Sequence, residues 1–160
     1  MNQRKKNKAK AAYICVNRRA RHEYELGDTY EAGVVLVGTE VKSLRQGKAD
    51  LTDAFARFIG DELFLIGLNI TPYDKAARFN HEPKRDRKLL LSRNELTRLA
   101  VKMKERGFTL IPLEMHFAGS WVKVTLALAR GRKQHDNRQA ILETQQRREM
   151  RAVVRERKSR

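Results

Sequence analysis

Residues 30–53 read Tyr30-Glu-Ala-Gly-Val-Val-Leu-Val-Gly-Thr-Glu-Val-Lys-Ser-Leu-Arg-Gln-Gly-Lys-Ala-Asp-Leu-Thr-Asp53, and the rest of the chain is arranged about them. Ala32 to Val37 is an apolar run rich in β-branched residues and of the length of a buried strand. Gly38 and Thr39 end it. Thr39 is placed to cap a short helix from Glu40 to Gln46, and Gly47 to supply the left-handed residue that stops it. Lys42, Arg45 and Lys48 ride on this helix or just past it, and the first two, three apart, share a face. A strand that delivers a small basic helix onto the flank of a sheet makes a platform for RNA. The same charges also fit a solvated helix face, and their spacing does not choose between the two.

Upstream, Tyr13 to Val16 is a short strand, followed by Asn17 to Tyr24, which gathers Arg18, Arg19, Arg21 and His22. Arginine forks bind phosphates bidentately and stack on bases, so this cluster reads as an RNA contact or as a solvated turn. Downstream, Asp53 to Ile59 and Leu63 to Ile70 alternate as strands do, joined by the turn signal Gly60-Asp61. On the second, Phe64, Ile66 and Leu68 face one way and Leu63 and Leu65 the other, which implies a curled sheet with a closed interior. Residues 71–88 form a polar loop with Pro72, Pro83 and six Lys or Arg, and long loops of this kind are functional or disordered.

Ser92 to Arg106 is a helix with an S-x-x-E capping box from Ser92 to Glu95 and an apolar stripe of Leu96, Leu99, Ala100 and Met103. Gly107 follows as its stop. Phe108 to Phe117 and Trp121 to Ala129 make a β-hairpin turned by Ala118-Gly119-Ser120. On its second strand Trp121, Lys123 and Thr125 share one face, opposite Val122, Val124 and Leu126. Strands joined mostly by turns favour a mainly β fold, a small antiparallel OB-type barrel with two or three flanking helices. Residues 1–12 are expected to form a disordered basic arm, 13–130 the barrel, and 131–160 a basic tail that is disordered when free and helical on a polyanion.

The net charge is +16 and unevenly spread. Residues 1–21 carry eight cations and no acids, whereas residues 22–70 carry four cations and nine acids. Residues 71–107 carry eleven cations against five acids, and residues 130–160 eleven against four. Basic ends and a basic middle around strands that are not basic fit a polyanionic partner. No apolar run of about eighteen residues spans a membrane, and the N-terminus lacks the apolar core of a secretory signal. The single cysteine, Cys15, lies in an apolar stretch and reads as a small buried hydrophobe, which agrees with a cytoplasmic location.

No catalytic or cofactor motif emerges, and an enzyme is not expected. His22, His81, His116 and His135 show no metal spacing with one another or with Cys15. Glu23 and Glu25, taken to share a strand face, read as solvated carboxylates rather than an acid–base pair. No phosphate-binding loop, nucleophile elbow or dinucleotide fingerprint is present.

Glu31-Ala-Gly followed by Gly38-Thr-Glu-Val-Lys-Ser-Leu-Arg-Gln-Gly-Lys-Ala resembles the signature of the small protein B family, the SsrA-binding proteins of bacteria. Asn17-Arg-Arg-Ala-Arg-His-Glu-Tyr, Asn69-Ile-Thr-Pro-Tyr, Arg87-Lys-Leu-Leu-Leu and Ala129-Arg-Gly-Arg-Lys-Gln-His-Asp extend the resemblance in one register from about residue 13 to residue 138. The resemblance implies an OB-type barrel that binds the tRNA-like domain of transfer-messenger RNA and brings it to stalled ribosomes, for trans-translation and peptide tagging. It also implies elongation factor Tu and alanyl-tRNA synthetase as indirect partners. The RNA-facing positions it implies are Asn17, Arg19, Arg21, His22, Glu31, Lys42, Arg45, Arg87, Lys88, Leu90 and Lys123, with Lys48 beside them. Gly131, Arg132, Lys133, His135, Asp136 and Arg138 would face the decoding centre of the small ribosomal subunit. A generic ribosome-associated RNA-binding protein or RNA chaperone shares the charge and the barrel but not a preference for a tRNA-like fold. Binding of the tail to an anionic lipid surface is weakened by its thin apolar stripe and lack of aromatic anchors.

Overall fold

Strand pairing closes on itself. The computed structural model describes residues 13–105, 107–132 and 145–147. Its strands are β1 (Tyr13–Val16), β2 (Tyr24–Val34), β3 (Ala49–Asp50), β4 (Phe55–Ile59), β5 (Glu62–Ile66), β6 (Asn69–Ile70), β7 (Arg87–Leu90), β8 (Phe108–Ala118) and β9 (Trp121–Gly131). The helices with them are α1 (Ala20–Glu23), α2 (Gly38–Arg45) and α3 (Arg93–Lys104). The pairing runs β8-β4-β5-β7-β2-β9 and returns from β9 to β8, every neighbour antiparallel, with β1 added outside on β8. This is a ring of six strands, the closed barrel expected from the turn-rich sequence. β3 and β6 form a separate two-stranded ribbon at its side.

Alternation fills the ring. On β9, Val122, Val124 and Leu126 are buried while Lys123 and Thr125 are only half-buried and face outward. Leu63 and Leu65 of β5, Leu89 of β7, and Leu110 and Met115 of β8 meet them in one core with Leu99 of α3. Each large aliphatic side chain so buried contributes about 1.5–3 kcal/mol. Two register shifts let the long strands curl. One lies between Leu26 and Thr29 of β2, and the other between Pro112 and Glu114 of β8, where a proline lacking an N–H costs least.

Local signals hold at α3 and at the hairpin. Ser92 Oγ accepts from the Glu95 N–H at 3.3 Å, and Glu95 Oε2 accepts from the Ser92 N–H at 3.1 Å, the reciprocal cap read in the sequence. Ala118 pairs with Trp121 across Gly119-Ser120, with Gly119 at φ +62°.

Several boundaries move. The strand expected at 32–37 is instead β2, which starts at Tyr24 because it pairs with β9 along most of its length, and Val35 and Val37 are exposed. α2 begins at Gly38 rather than Glu40. Thr39 does not cap it; Glu40 reaches back, its Oε2 accepting from the Val37 N–H at 2.9 Å. The strand expected to run to Ile70 breaks at Gly67 (φ +76°), where a Cβ would come within 2.9 Å of the Asp53 carbonyl oxygen. That break turns Leu68 into the core, so it does not share the outward face of Phe64 and Ile66. The expected loop loses its end to β7, whose Leu89 pairs with Leu63 of β5. Glu23 closes α1 and Glu25 lies on β2, so the two do not share a strand face. The arm at 1–12 and all of the tail but residues 131, 132 and 145–147 lie outside the described residues; 145–147 form a helical turn.

Candidate nucleic-acid interface

On the outside of the β2–β9–β8 wall, pairing brings Glu31, Lys123 and His116 together. Lys123 of β9 sits opposite Gly33 of β2 on one side and opposite His116 of β8 on the other, and Glu31, two residues before Gly33 and opposite Thr125, lies diagonally across from Lys123. Lys123 Nζ lies 3.1 Å from Glu31 Oε1, and His116 Nε2 lies 3.7 Å from the same oxygen. The Glu31 carboxylate stays about half exposed, so it is oriented without being sealed off. Trp121, 67% exposed, precedes Lys123 on the same strand face.

A second basic surface lies on α2. Lys42 and Arg45 are in its last turn, where the helix dipole favours cations, and both are exposed. The Lys42 ammonium stands 5.4 Å from the centroid of the Tyr73 ring, a cation–π contact. Lys48 lies past Gly47, which takes the left-handed conformation (φ +69°), and pairs with Asp74. The helix and the loop after β6 therefore present one surface.

α1 carries the amino-terminal cluster. Arg19 pairs with Glu23 at 2.6 Å one turn on, while Arg21 and His22 are exposed. On β7, Lys88 pairs with Glu62 and Leu90 is exposed. Gly131 ends β9, and the Arg132 N–H bonds to the Glu23 carbonyl at 3.2 Å, so the root of the tail is fixed beside α1. Lys133, His135, Asp136 and Arg138 lie outside the described residues.

Two expected contacts are not presented to a partner in this structure. Asn17 is buried because its amide nitrogen donates to the carbonyls of Leu51 (3.3 Å) and Pro112 (3.2 Å), and its Oδ1 accepts from the Ala20 N–H at 3.1 Å. It ties α1 to the barrel. Arg87 is fully buried: Nε donates to Glu40 Oε1 at 2.8 Å, Nη1 to the carbonyls of Leu68 and Arg85, and Nη2 to the carbonyl of Pro83. Both residues position the interface from beneath. Their polar groups are satisfied inside the protein, where an unpaired group would be costly.

Glu40 is the residue that the sequence reading passed over. It is fully buried on α2 and holds Arg87 together with Arg85, whose Nε and Nη2 donate to its two oxygens at 2.8 and 2.6 Å. Burial pushes its carboxyl pKa up. The Arg85 hydrogen bonds, the Val37 N–H and the Arg87 guanidinium outweigh that and hold it below the ordinary carboxylate range. Its signal in the sequence was weak, an acid three residues into a helix whose two partners lie some 45 positions away. Tyr73, Asp74 and His116 were missed for the same reason.

Among the described residues no group of three His, Cys, Asp or Glu is arranged to hold a metal, and no helix is long and apolar enough to cross a membrane. A family model described as SmpB protein matches residues 14–156. The SsrA-binding protein of Renibacterium salmoninarum is 52% identical over 143 residues, covering 89% of this chain and 92% of that protein. That of Desulforamulus reducens is 53% identical over 145 residues, covering 90% of each. Among solved structures, a chain of "tmRNA-SmpB: a journey to the center of the bacterial ribosome" is similar with a TM-score of 0.64 and 54% identity, covering 75% of this chain and 85% of that one. With sequence identity above one half sustained along nearly the whole barrel, the protein belongs to the SmpB family.

Proposed function

We propose that the barrel binds the tRNA-like domain of transfer-messenger RNA (SsrA RNA) and delivers it to stalled ribosomes for trans-translation in the cytoplasm. The observation that carries this reading is the Glu31–Lys123–His116 cluster. A half-exposed carboxylate held in place on a +16 protein does nothing for attraction to phosphate, but it can accept hydrogen bonds from base amino groups and so discriminate. The basic surfaces of α1 and α2 supply the affinity. The names of the relatives, SsrA-binding proteins, support the choice of RNA. The contacting groups on this reading are Arg19, Arg21, His22, Glu31, Lys42, Arg45, Lys48, Lys88, Leu90 and Lys123, and the tail from Gly131 to Arg138 reaches the decoding centre. Elongation factor Tu and alanyl-tRNA synthetase meet the same RNA and act as indirect partners. The protein's part is adaptation, with no bond made or broken.

A salt-titrated binding assay on three RNAs tests the reading: the tRNA-like half of transfer-messenger RNA, an ordinary tRNA and an unrelated hairpin of equal length. Seven of the named groups are cations, and four of them, Arg19, Lys48, Lys88 and Lys123, already hold acidic partners in the free protein. The slope of log K against log salt is therefore expected between about −2 and −6. A preference of about tenfold or more for the tRNA-like half near physiological salt is the expected result. Equal binding to all three transfers the reading to a generic ribosome-associated RNA-binding protein or RNA chaperone.

A further inference from the structure

The loop between β6 and β7 joins the interface described so far only through Tyr73 and Asp74 at its start, yet the rest of it is also built. Asn80 closes it like a clasp: its Oδ1 accepts from the Tyr73 N–H at 3.1 Å and its amide donates to the Tyr73 carbonyl at 2.9 Å. His81 beside it is buried, with Nε2 donating to the Ile70 carbonyl at 2.9 Å and Nδ1 3.0 Å from Thr39 Oγ1 on α2. Lys48–Asp74 and the Lys42–Tyr73 contact fasten the other arm of the loop to α2. On this clasped loop, directly before Asn80, Phe79 is 88% exposed, more than any other exposed large hydrophobic residue described. Lys75 and Arg78, on the same loop, are exposed.

A single exposed apolar side chain on a mobile loop is ordinary. Here the segment is pinned at both arms by side-chain hydrogen bonds, the aromatic ring is flanked by cations, and the surface runs on into the basic face of α2. An aromatic ring on a fixed, cationic mount is what a single-stranded or bulged nucleotide requires, because any base offers a face to stack on while its phosphates meet the neighbouring charges. We propose that residues 73–80 form a further RNA-contacting element in which Phe79 stacks on an unpaired base and Lys75 and Arg78 meet the flanking phosphates. The identity of that RNA as the tRNA-like domain rests on the function proposed above; the stacking chemistry does not.

The test places a reporter at the stack. In a Trp121→Phe background the chain has no tryptophan, since Trp121 is its only one, so adding Phe79→Trp supplies a single indole on the loop. Saturating this full-length protein with the tRNA-like RNA should quench the indole. Phe79→Ala should weaken binding about tenfold with the salt slope unchanged, since no charge is lost. Arg78→Ala should flatten the slope by about 0.7–0.9. Phe79 is too exposed for its loss to unfold the protein. An indole that stays unquenched in the formed complex, or wild-type affinity in Phe79→Ala, overturns the proposal. Wild-type RNA affinity with lost ribosome rescue would assign the ring to a protein partner instead. Quenching and weakening that are equal on the tRNA-like RNA and on the hairpin would uphold the loop while removing the more specific function.

Discussion

Glu40→Gln isolates the buried charge beneath the interface. The wild-type carboxylate accepts from the Val37 N–H, from Arg85 Nε and Nη2 and from Arg87 Nε, and Arg87 Nη2 lies 2.8 Å away. Glutamine keeps the shape but turns one acceptor into a donor, facing donors, and leaves the Arg87 charge buried without its counter-ion. Removing one partner of a buried pair costs about 3–5 kcal/mol. The retained acceptor and the partly solvated Arg85 place this case near the lower figure, about 3 kcal/mol, a large part of the 5–15 kcal/mol by which a domain is stable. With a urea dependence of about 2 kcal/mol per molar, the unfolding midpoint at pH 7 should fall by about 1.5 M. Acid gives a second signature. The Glu40 pKa is lowered in the folded state, so its stabilisation is complete above the unfolded value, about 4.3, and is lost as pH falls through the folded one. The gap between wild type and variant should therefore be full at pH 7 and close in strong acid. A difference under about 1 kcal/mol at pH 7, or one constant down to pH 3, would show that the Arg87 carbonyl contacts suffice and refute the argument.

Glu31→Arg adds positive charge yet should reduce the preference for the tRNA-like RNA, by about 1–3 kcal/mol if the carboxylate reads a base; filter binding against the control hairpin measures it. Truncation after Arg132 should leave RNA affinity intact and abolish ribosome rescue in a reconstituted translation assay, because the Arg132 N–H bond to Glu23 still completes the barrel. Burial, aided by Asp50, raises the Cys15 pKa to about 11 from its ordinary value of 9.0, so native labelling by a disulfide reagent at pH 8 should run about 100-fold slower than for an unperturbed thiol, and recover on unfolding.

Features set by neighbours in the chain were legible. Ser92 and Glu95 are three residues apart, and the turns at Gly47, Gly60 and Gly119 each required only a positive φ. The alternation of Val122, Lys123, Val124 and Thr125 predicted which side chains face water. Features set at a distance were not legible. Asn17 looked like part of a cationic motif, but carbonyls 34 and 95 positions away bury it. Arg87 looked like a surface cation because its acid lies 47 positions upstream. Of the interface, the cations were found by type and by family resemblance, whereas the grouping of Glu31, His116 and Lys123 needed the β2–β9–β8 register.

The order in which the ring is assembled has a consequence of its own. β9 is the last strand of the barrel in the chain, and it pairs with β8 on one side and with β2, some hundred residues earlier, on the other. A chain that stops before Trp121 holds five of the six ring strands and leaves two long edges bare, one on β8 and one on β2. Bare edges template pairing with other chains. Incomplete copies of this protein should therefore self-associate, visible as light scattering by a fragment ending at Ser120, while the finished chain stays monodisperse. The same eleven residues that carry Lys123 to the interface thus guard the protein against its own half-made forms.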